Sequence, residues 1–214
     1  MSHVRPVLFD MDGTLIDSAD VVTRCFDETM REEAGIVHER RYYEQFLGPP
    51  LRDSFARLGA EDPEHFVASY RARYVRIMLQ TPLFDGIDEL LARLQAGGVP
   101  MAVATSKKEA AARAIAEHLD IAKYFLAVCG ADEDGGKVAK HQVIADALAV
   151  FDRAGVDASR AVMVGDRKYD VEGADVHGLP TILVRWGPAT EDEYALAVAT
   201  AATPGELGDI LLAG

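Results

Sequence analysis

A chain of 214 residues, 49% hydrophobic and 27% charged, buries a substantial core, which excludes disorder as its ground state. Its formal charge of -13, with 35 acidic residues against 22 basic and no block of Lys/Arg, repels a phosphate backbone and excludes nucleic acid as a partner. No apolar run is long enough to span a membrane, and the six histidines are scattered without the close pairing of a zinc site.

From the N-terminus, Met1-Ser2-His3-Val4-Arg5-Pro6 lacks the layout of a cleavable signal, and a cytoplasmic location is expected. Val4 to Phe9 is a strand-length apolar run that ends in Asp10-Met11-Asp12-Gly13-Thr14. Residues 18 to 81 hold no convincing strand and read as a helical insertion. Within it Val22-Phe26-Met30 recur every four residues and stop at Gly35, and Phe66-Tyr70-Tyr74-Ile77 follow Pro63 in the same way. Shorter helical pieces are expected around Tyr42 to Leu47 and Arg52 to Leu58, joined by the stiff loop Leu47-Gly48-Pro49-Pro50. After the breakers Pro82 and Gly86 come four more apolar runs: Val99 to Ala104, Phe125 to Cys129, Ala161 to Val164 and Thr181 to Val184. Helix-period segments such as Ile87-Leu90-Leu91-Leu94 and Val143-Ile144-Ala147-Leu148-Phe151 separate most of them. Strands alternating with helices predict an α/β fold, a doubly wound, mainly parallel sheet covered on both faces. The expected division is a discontinuous core, 1–17 with 82–214, and a helical domain, 18–81.

Two acidic clusters sit where apolar strands end. Asp10 and Asp12 are spaced i, i+2, and Asp166 and Asp170 follow the fourth run in Gly165-Asp166-Arg167-Lys168-Tyr169-Asp170. Ligand sites of open α/β sheets lie beyond the carboxyl ends of strands, and carboxylates gathered there repel one another unless a hard divalent cation with oxygen ligands joins them. Such a cation also offsets the net negative charge toward a phosphorylated ligand. Cys25 and Cys129 sit among apolar neighbours and read as buried thiols without chemistry.

Asp10-Met11-Asp12-Gly13-Thr14 and Gly165-Asp166 with Asp170 resemble the first and last motifs of the haloacid dehalogenase superfamily. That family's second motif is a Thr or Ser ending the second strand, which Thr105 matches, with Ser106 beside it. Its third is a lysine ahead of the fourth strand, for which Lys137 and Lys140 both qualify. The Lys-Pro form is absent, and the segment is more similar to the proline-free variant of phosphoglycolate phosphatase relatives, which selects Lys140. The resemblance covers the full chain, including the insertion, which stands where these relatives carry a small mobile cap. It implies a sheet ordered 5-4-1-2-3.

The resemblance further implies a magnesium-dependent phosphomonoesterase. Asp10 is the nucleophile that forms an aspartyl phosphate, and Asp12 is the general acid and then the general base. Asp10, the Asp12 carbonyl, Asp166 and Asp170 are the magnesium set, with Asp170 orienting Lys140 or a bound water. Thr105 and Ser106 hold the phosphoryl oxygens, Lys140 neutralises charge, and Arg52 is an anion-binding position whose alternative is a surface arginine at a helix start. Lys107 and Lys108 read as a solvated helix start, Met11 as core, and Arg185-Trp186-Gly187 as a flanking loop without a role. The expected partner is a small phosphorylated metabolite, phosphoglycolate first and a nucleoside 5'-monophosphate second. A sugar phosphomutase uses the same aspartates, but Leu51 stands where mutases tend to carry an arginine. Dehalogenases lack an equivalent of Asp12, and a catalytically silent phosphometabolite sensor is the alternative from another class.

Overall fold

The structure is a computed structural model that describes residues 5–132, 136, 137 and 139–213. The chain divides into a helical unit, Ser18–Pro82, and a unit made of everything before and after it, so Pro82 groups with the helices. Among the described residues no helix is long and apolar enough to cross a membrane.

Strand β1 is Val7–Phe9. The helical unit then contributes α1 (Ala19–Ala34), a 3₁₀ helix (Arg40–Phe46), α2 (Leu51–Arg57) and α3 (Pro63–Ile77). Helix α1 stops where Gly35 turns left-handed (φ 66°) and returns its N–H to Arg31 O and Met30 O, a terminus that a residue without Cβ adopts at no steric cost. Helix α3 begins with Pro63 in its first turn, and the Asp62 carboxylate accepts the His65 N–H. The piece expected around Tyr42 to Leu47 is 3₁₀ rather than α: it buries Tyr43 and Phe46, three residues apart, and a three-residue repeat keeps that pair on one face. Phe26 is the hub of this unit's core, with the rings of Tyr43, Phe46, Phe55 and Tyr70 centred 5.0–6.0 Å away.

The other unit continues through α4 (Ile87–Ala96), β2 (Met101–Lys108), α5 (Glu109–His118), β3 (Val128–Ala131), α6 (Lys140–Arg153) and β4 (Val162–Gly165). It ends with α7 (Lys168–Asp175), β5 (Thr181–Val184), α8 (Glu191–Tyr194), β6 (Ala199–Ala201) and α9 (Pro204–Ala213). All strands pair in parallel, in the order β3-β2-β1-β4-β5-β6. The expected five-strand order stands, read from the other edge, with β6 added. Ala199-Thr200-Ala201 closes an alanine-rich apolar stretch that lacks the β-branched and aromatic enrichment of a strand, and it joins the edge by pairing with β5.

Both faces of the sheet are buried, as a parallel sheet requires. On one, Leu8, Ala102, Ala104 and Met163 pack with Val143, Ala147 and Phe151 of α6. The alternate residues Val7, Phe9, Val103, Val162 and Val164 are equally enclosed. Cys25 and Cys129 are buried and not joined in a disulfide, and burial pushes the Cys129 thiol up to about 11, which keeps it unreactive.

Phe26→Ala should destabilise the helical unit by about 3–5 kcal/mol, since it deletes a fully buried ring from an aromatic cluster. Urea unfolding measures it, and a loss below about 1 kcal/mol would mean that Phe26 is not the hub of that core.

Candidate active site

Strand register alone brings the acidic ends together. Phe9 pairs with Val103 of β2 and with Val164 of β4, so Asp10 emerges between the ends of both neighbours, one residue past the paired row. Thr105 and Asp166 lie two residues past it on either side. The Asp10 N–H donates to Val164 O at 2.8 Å, so the ladder carries on to the point where its side chain leaves the sheet.

Lys140, the first residue of α6, reaches into this cluster. Its Nζ lies 2.7 Å from Asp10 Oδ1 and 2.7 Å from Asp170 Oδ1. Lys137 lies elsewhere, paired with Asp146 and, at 3.5 Å, with Asp132. Of the two lysines left open by the sequence, the geometry brings Lys140 to Asp10. Asp170 is the third residue of α7, and its Oδ2 accepts the N–H groups of Asp166 and Arg167 at 3.1 and 3.0 Å, closing the helix start onto itself. Both its oxygens are therefore engaged, which favours an orienting role toward Lys140 over direct metal ligation. Asp166, 3% exposed, accepts the Thr14 hydroxyl at 3.2 Å.

Carboxylate oxygens of Asp10, Asp166 and Asp170 lie within 4.8 Å of one another. Burial pushes the Asp10 carboxyl up to about 6, with Lys140 opposing the shift and the Asp170 charge adding to it. Burial and then the Asp170 and Asp10 charges hold Asp166 well above the usual carboxylate range. Burial alone would lower the Lys140 ammonium, but its two carboxylates outweigh that and keep it charged. Three carboxylates crowd against one ammonium, and of these Asp10 and Asp166 are the donors suited to a hard divalent cation.

The backbone around Asp166 is close enough to require glycine. Gly13 sits at φ 77°, and a Cβ there would lie 2.3 Å from Asp166 Oδ2. At Gly187 a Cβ would lie 2.4 Å from Asp166 Cβ and 2.6 Å from Gly13 O. Trp186, the chain's one tryptophan, donates its indole N–H to Thr14 O at 3.0 Å. The Arg185-Trp186-Gly187 run thus has the role that the sequence did not disclose: it backs the loop that carries the first motif. No local pattern links positions about 170 residues apart.

Thr105 is buried, its hydroxyl accepting the Lys107 N–H at 3.2 Å, whereas Ser106 is exposed. Lys107 departs from its expected place on a solvated helix start. Strand β2 extends through Lys108, and the Lys107 side chain is only 9% exposed, its Nζ 3.0 Å from Asp12 Oδ1. Met11 is core, as expected. Arg52 belongs to the helical unit, at the start of α2, where its exposed guanidinium meets Glu64 Oε1 at 2.8 Å.

Glu193, which no motif singled out, secures the loop after β4 from outside. Its Oε1 accepts Arg167 Nε and the Lys168 N–H, both at 3.1 Å, and its Oε2 accepts the Thr190 N–H at 2.9 Å. Burial would raise its pKa, but the Thr190 and Lys168 N–H groups and the Arg167 guanidinium outweigh it and hold the carboxyl below its ordinary value.

Comparison with known proteins places the chain. The haloacid dehalogenase-like hydrolase family matches residues 7–184. The chain belongs to that family, on its phosphatase side. It is 39% identical over 211 residues to a protein of Mycobacterium tuberculosis named tyrosine-protein kinase PtkA, covering 96% of this chain and 72% of that one. A 5'-nucleotidase of Pseudomonas aeruginosa is 35% identical, over 87% of this chain and 85% of that one. A phosphoglycolate phosphatase of Xanthomonas campestris is 30% identical, over 92% and 90%. The crystal structure of a predicted phosphatase from Clostridium acetobutylicum superimposes with a TM-score of 0.88 at 33% identity, over the whole of both chains.

Lys140→Met should cost about 3–5 kcal/mol of stability at neutral pH, because it strands two buried carboxylates without their cation. Equilibrium unfolding reads this, and restoration by a second change, Asp170→Asn, is expected. Glu193→Gln should cost about 1.5–3 kcal/mol. Because the folded carboxyl titrates below its unfolded value of 4.5, the wild-type advantage is full above that value and is lost as pH falls through the folded pKa. A difference that stays constant from pH 7 to 3 would show that the Glu193 charge carries none of it.

Proposed function

We propose that this phosphatase hydrolyses a small phosphomonoester with Mg2+, through an aspartyl phosphate on Asp10, with phosphoglycolate as first substrate and a nucleoside 5'-monophosphate as second. The observation that carries the reading is the Asp10–Lys140–Asp170 bridge beside Asp166, at the carboxyl ends of adjacent parallel strands.

Asp10 attacks phosphorus, forming its own oxygen–phosphorus bond as the bond to the leaving oxygen breaks. Asp12 gives a proton to that leaving oxygen, and in the second half takes one from the water that attacks the aspartyl phosphate. Thr105, with backbone N–H groups near Ser106, holds phosphoryl oxygens, and Lys140 keeps a positive charge beside Asp10 throughout. Asp170 keeps Lys140 aimed. Mg2+ would be held by Asp10, the Asp12 carbonyl and Asp166, and when bound it supplies positive charge to the transferring oxygens. The domain reading has 1–17 with 82–214 carry this chemistry, and 18–81 serve as a cap that offers Arg52 to an anionic substrate group. Its place is the cytoplasm.

The kinase name of one relative favours a second reading, in which a hydroxyl rather than water takes the phosphoryl group from Asp10. Asp12 serves that acceptor equally well as a base, so an acceptor assay is required beside the hydrolytic one.

Phosphate release is to be measured from phosphoglycolate, nucleoside monophosphates, sugar phosphates and p-nitrophenyl phosphate, with magnesium and with chelator. Release that needs magnesium and falls by at least about 10³-fold in a folded Asp10→Asn variant is the expected result. Ordinary turnover in that variant overturns the nucleophile. Label passing from ATP to a tyrosine peptide, lost in the same variant, would replace hydrolysis with transfer. Because burial and neighbouring acids raise Asp10 to about 6 and raise Asp166 as well, magnesium binding should release protons, and at pH 6 more of them from the wild-type protein than from Asp10→Asn. Calorimetry in buffers of different ionisation enthalpy detects that release, and an equal release from both proteins removes Asp10 from the binding set.

A further inference from the structure

Lys107 is built into the site in a way that a surface lysine is not. Between β2 and β3 the register slips: Ala104 pairs with Cys129 but Lys108 with Ala131, so β2 spends four steps where β3 spends two. Such an irregularity re-aims side chains at the end of a strand. The Lys107 backbone is held on both sides of it. Its N–H donates to Thr105 Oγ1 at 3.2 Å, and its carbonyl oxygen lies where a Cβ on Gly130 would come within 2.6 Å. Its side chain, 9% exposed, turns inward and sets Nζ 3.0 Å from Asp12 Oδ1 as an ion pair. Sequestering a long, strongly hydrated side chain costs rotamer entropy and solvation, so the pairing needs a return.

We propose that Lys107 is the positioning residue of the proton-transfer step: it fixes one oxygen of Asp12 and leaves the other to exchange protons with the leaving group and with water. The proposal rests on the aspartyl-phosphate reading above. In the first half-reaction the Asp10 oxygen–phosphorus bond forms and the bond to the leaving oxygen breaks. The Asp12 proton passes to that oxygen, and the carboxylate left behind is neutralised by the Lys107 ammonium, where the charge develops. In the second half the same carboxylate, still held, takes a proton from the attacking water. Lys107 touches neither phosphorus nor leaving group and acts through Asp12.

The test compares an alkyl phosphomonoester from the panel above, whose alkoxide departs only with a proton, with p-nitrophenyl phosphate, whose phenolate departs without one. The value of kcat/KM reports only steps up to departure of the leaving group, so it isolates the first proton transfer. In Lys107→Met it should fall about 30- to 100-fold for the alkyl substrate and less than about threefold for the aryl one. With the aryl substrate a burst of nitrophenolate should precede slower steady turnover, because the aspartyl phosphate now waits for its water. Lys107→Arg should restore part of the alkyl rate. It also keeps the comparison available should the methionine variant fail to fold, which circular dichroism decides.

Adding Lys107→Met to Asp12→Ala should bring no further loss on the alkyl substrate. Equal losses on both substrates, a raised KM with kcat intact, or an additive double variant each overturn the proposal. The underlying reading fails differently. If Asp12→Ala leaves alkyl turnover intact, Asp12 is not the acid, whereas a selective loss in Asp12→Ala with none in Lys107→Met removes Lys107 alone.

Discussion

One ammonium group organises the site. Lys140 Nζ stands 2.7 Å from a carboxylate oxygen on each of two segments, the end of β1 and the first turn of α7, while its own backbone opens α6. Carboxylates this deeply buried cannot stay ionised without a partner, and the ammonium cannot stay charged without them. The fold makes room for the contact at Gly173 of α7, where a Cβ would press within 2.7 Å of Lys140 Cγ. Helix α7 thus passes close enough to α6 for Asp170 to accept Lys140 on one oxygen and two backbone N–H groups on the other.

A second layer holds Asp166. Glycines 13 and 187 let two loops close on it, Thr14 donates to it, and Trp186 ties the first loop to the strand-end segment behind it. On its far side Glu193 grips the backbone at Lys168 and the Arg167 guanidinium. The result is a cluster of acids whose positions are set by close packing, which reduces the cost of ordering them on binding. Asp10 and Asp166 hold protons more tightly than free carboxylates do, an electrostatic load that a divalent ion relieves.

Relatives named for a kinase, a nucleotidase and a phosphoglycolate phosphatase lie within 30–39% identity of this chain. The spread has a physical basis. In the reading proposed above, attack on phosphorus uses this chain's carboxylates, lysine and hydroxyl whatever carries the phosphoryl group, while the choice of substrate and acceptor rests on groups outside them. Family membership therefore speaks to reaction type much more than to substrate.

The sequence by itself determined the strand-helix alternation, the long helical insertion and the two acidic strand ends, because each is written in residues close along the chain: apolar periodicity, a glycine after a helix, two aspartates two apart. It also carried the resemblance from which the sheet order came. It left Lys137 and Lys140 both open on spacing, read Lys107 as solvated, and passed over β6 and Glu193. Those were decided by tertiary structure, since each depends on groups far apart in sequence: Lys140 on two carboxylates from separate elements, β6 on the edge that β5 offers, Glu193 on the loop after β4. Lys107 is the sharpest case, because two lysines in succession look alike until an irregular strand end turns one of them onto Asp12.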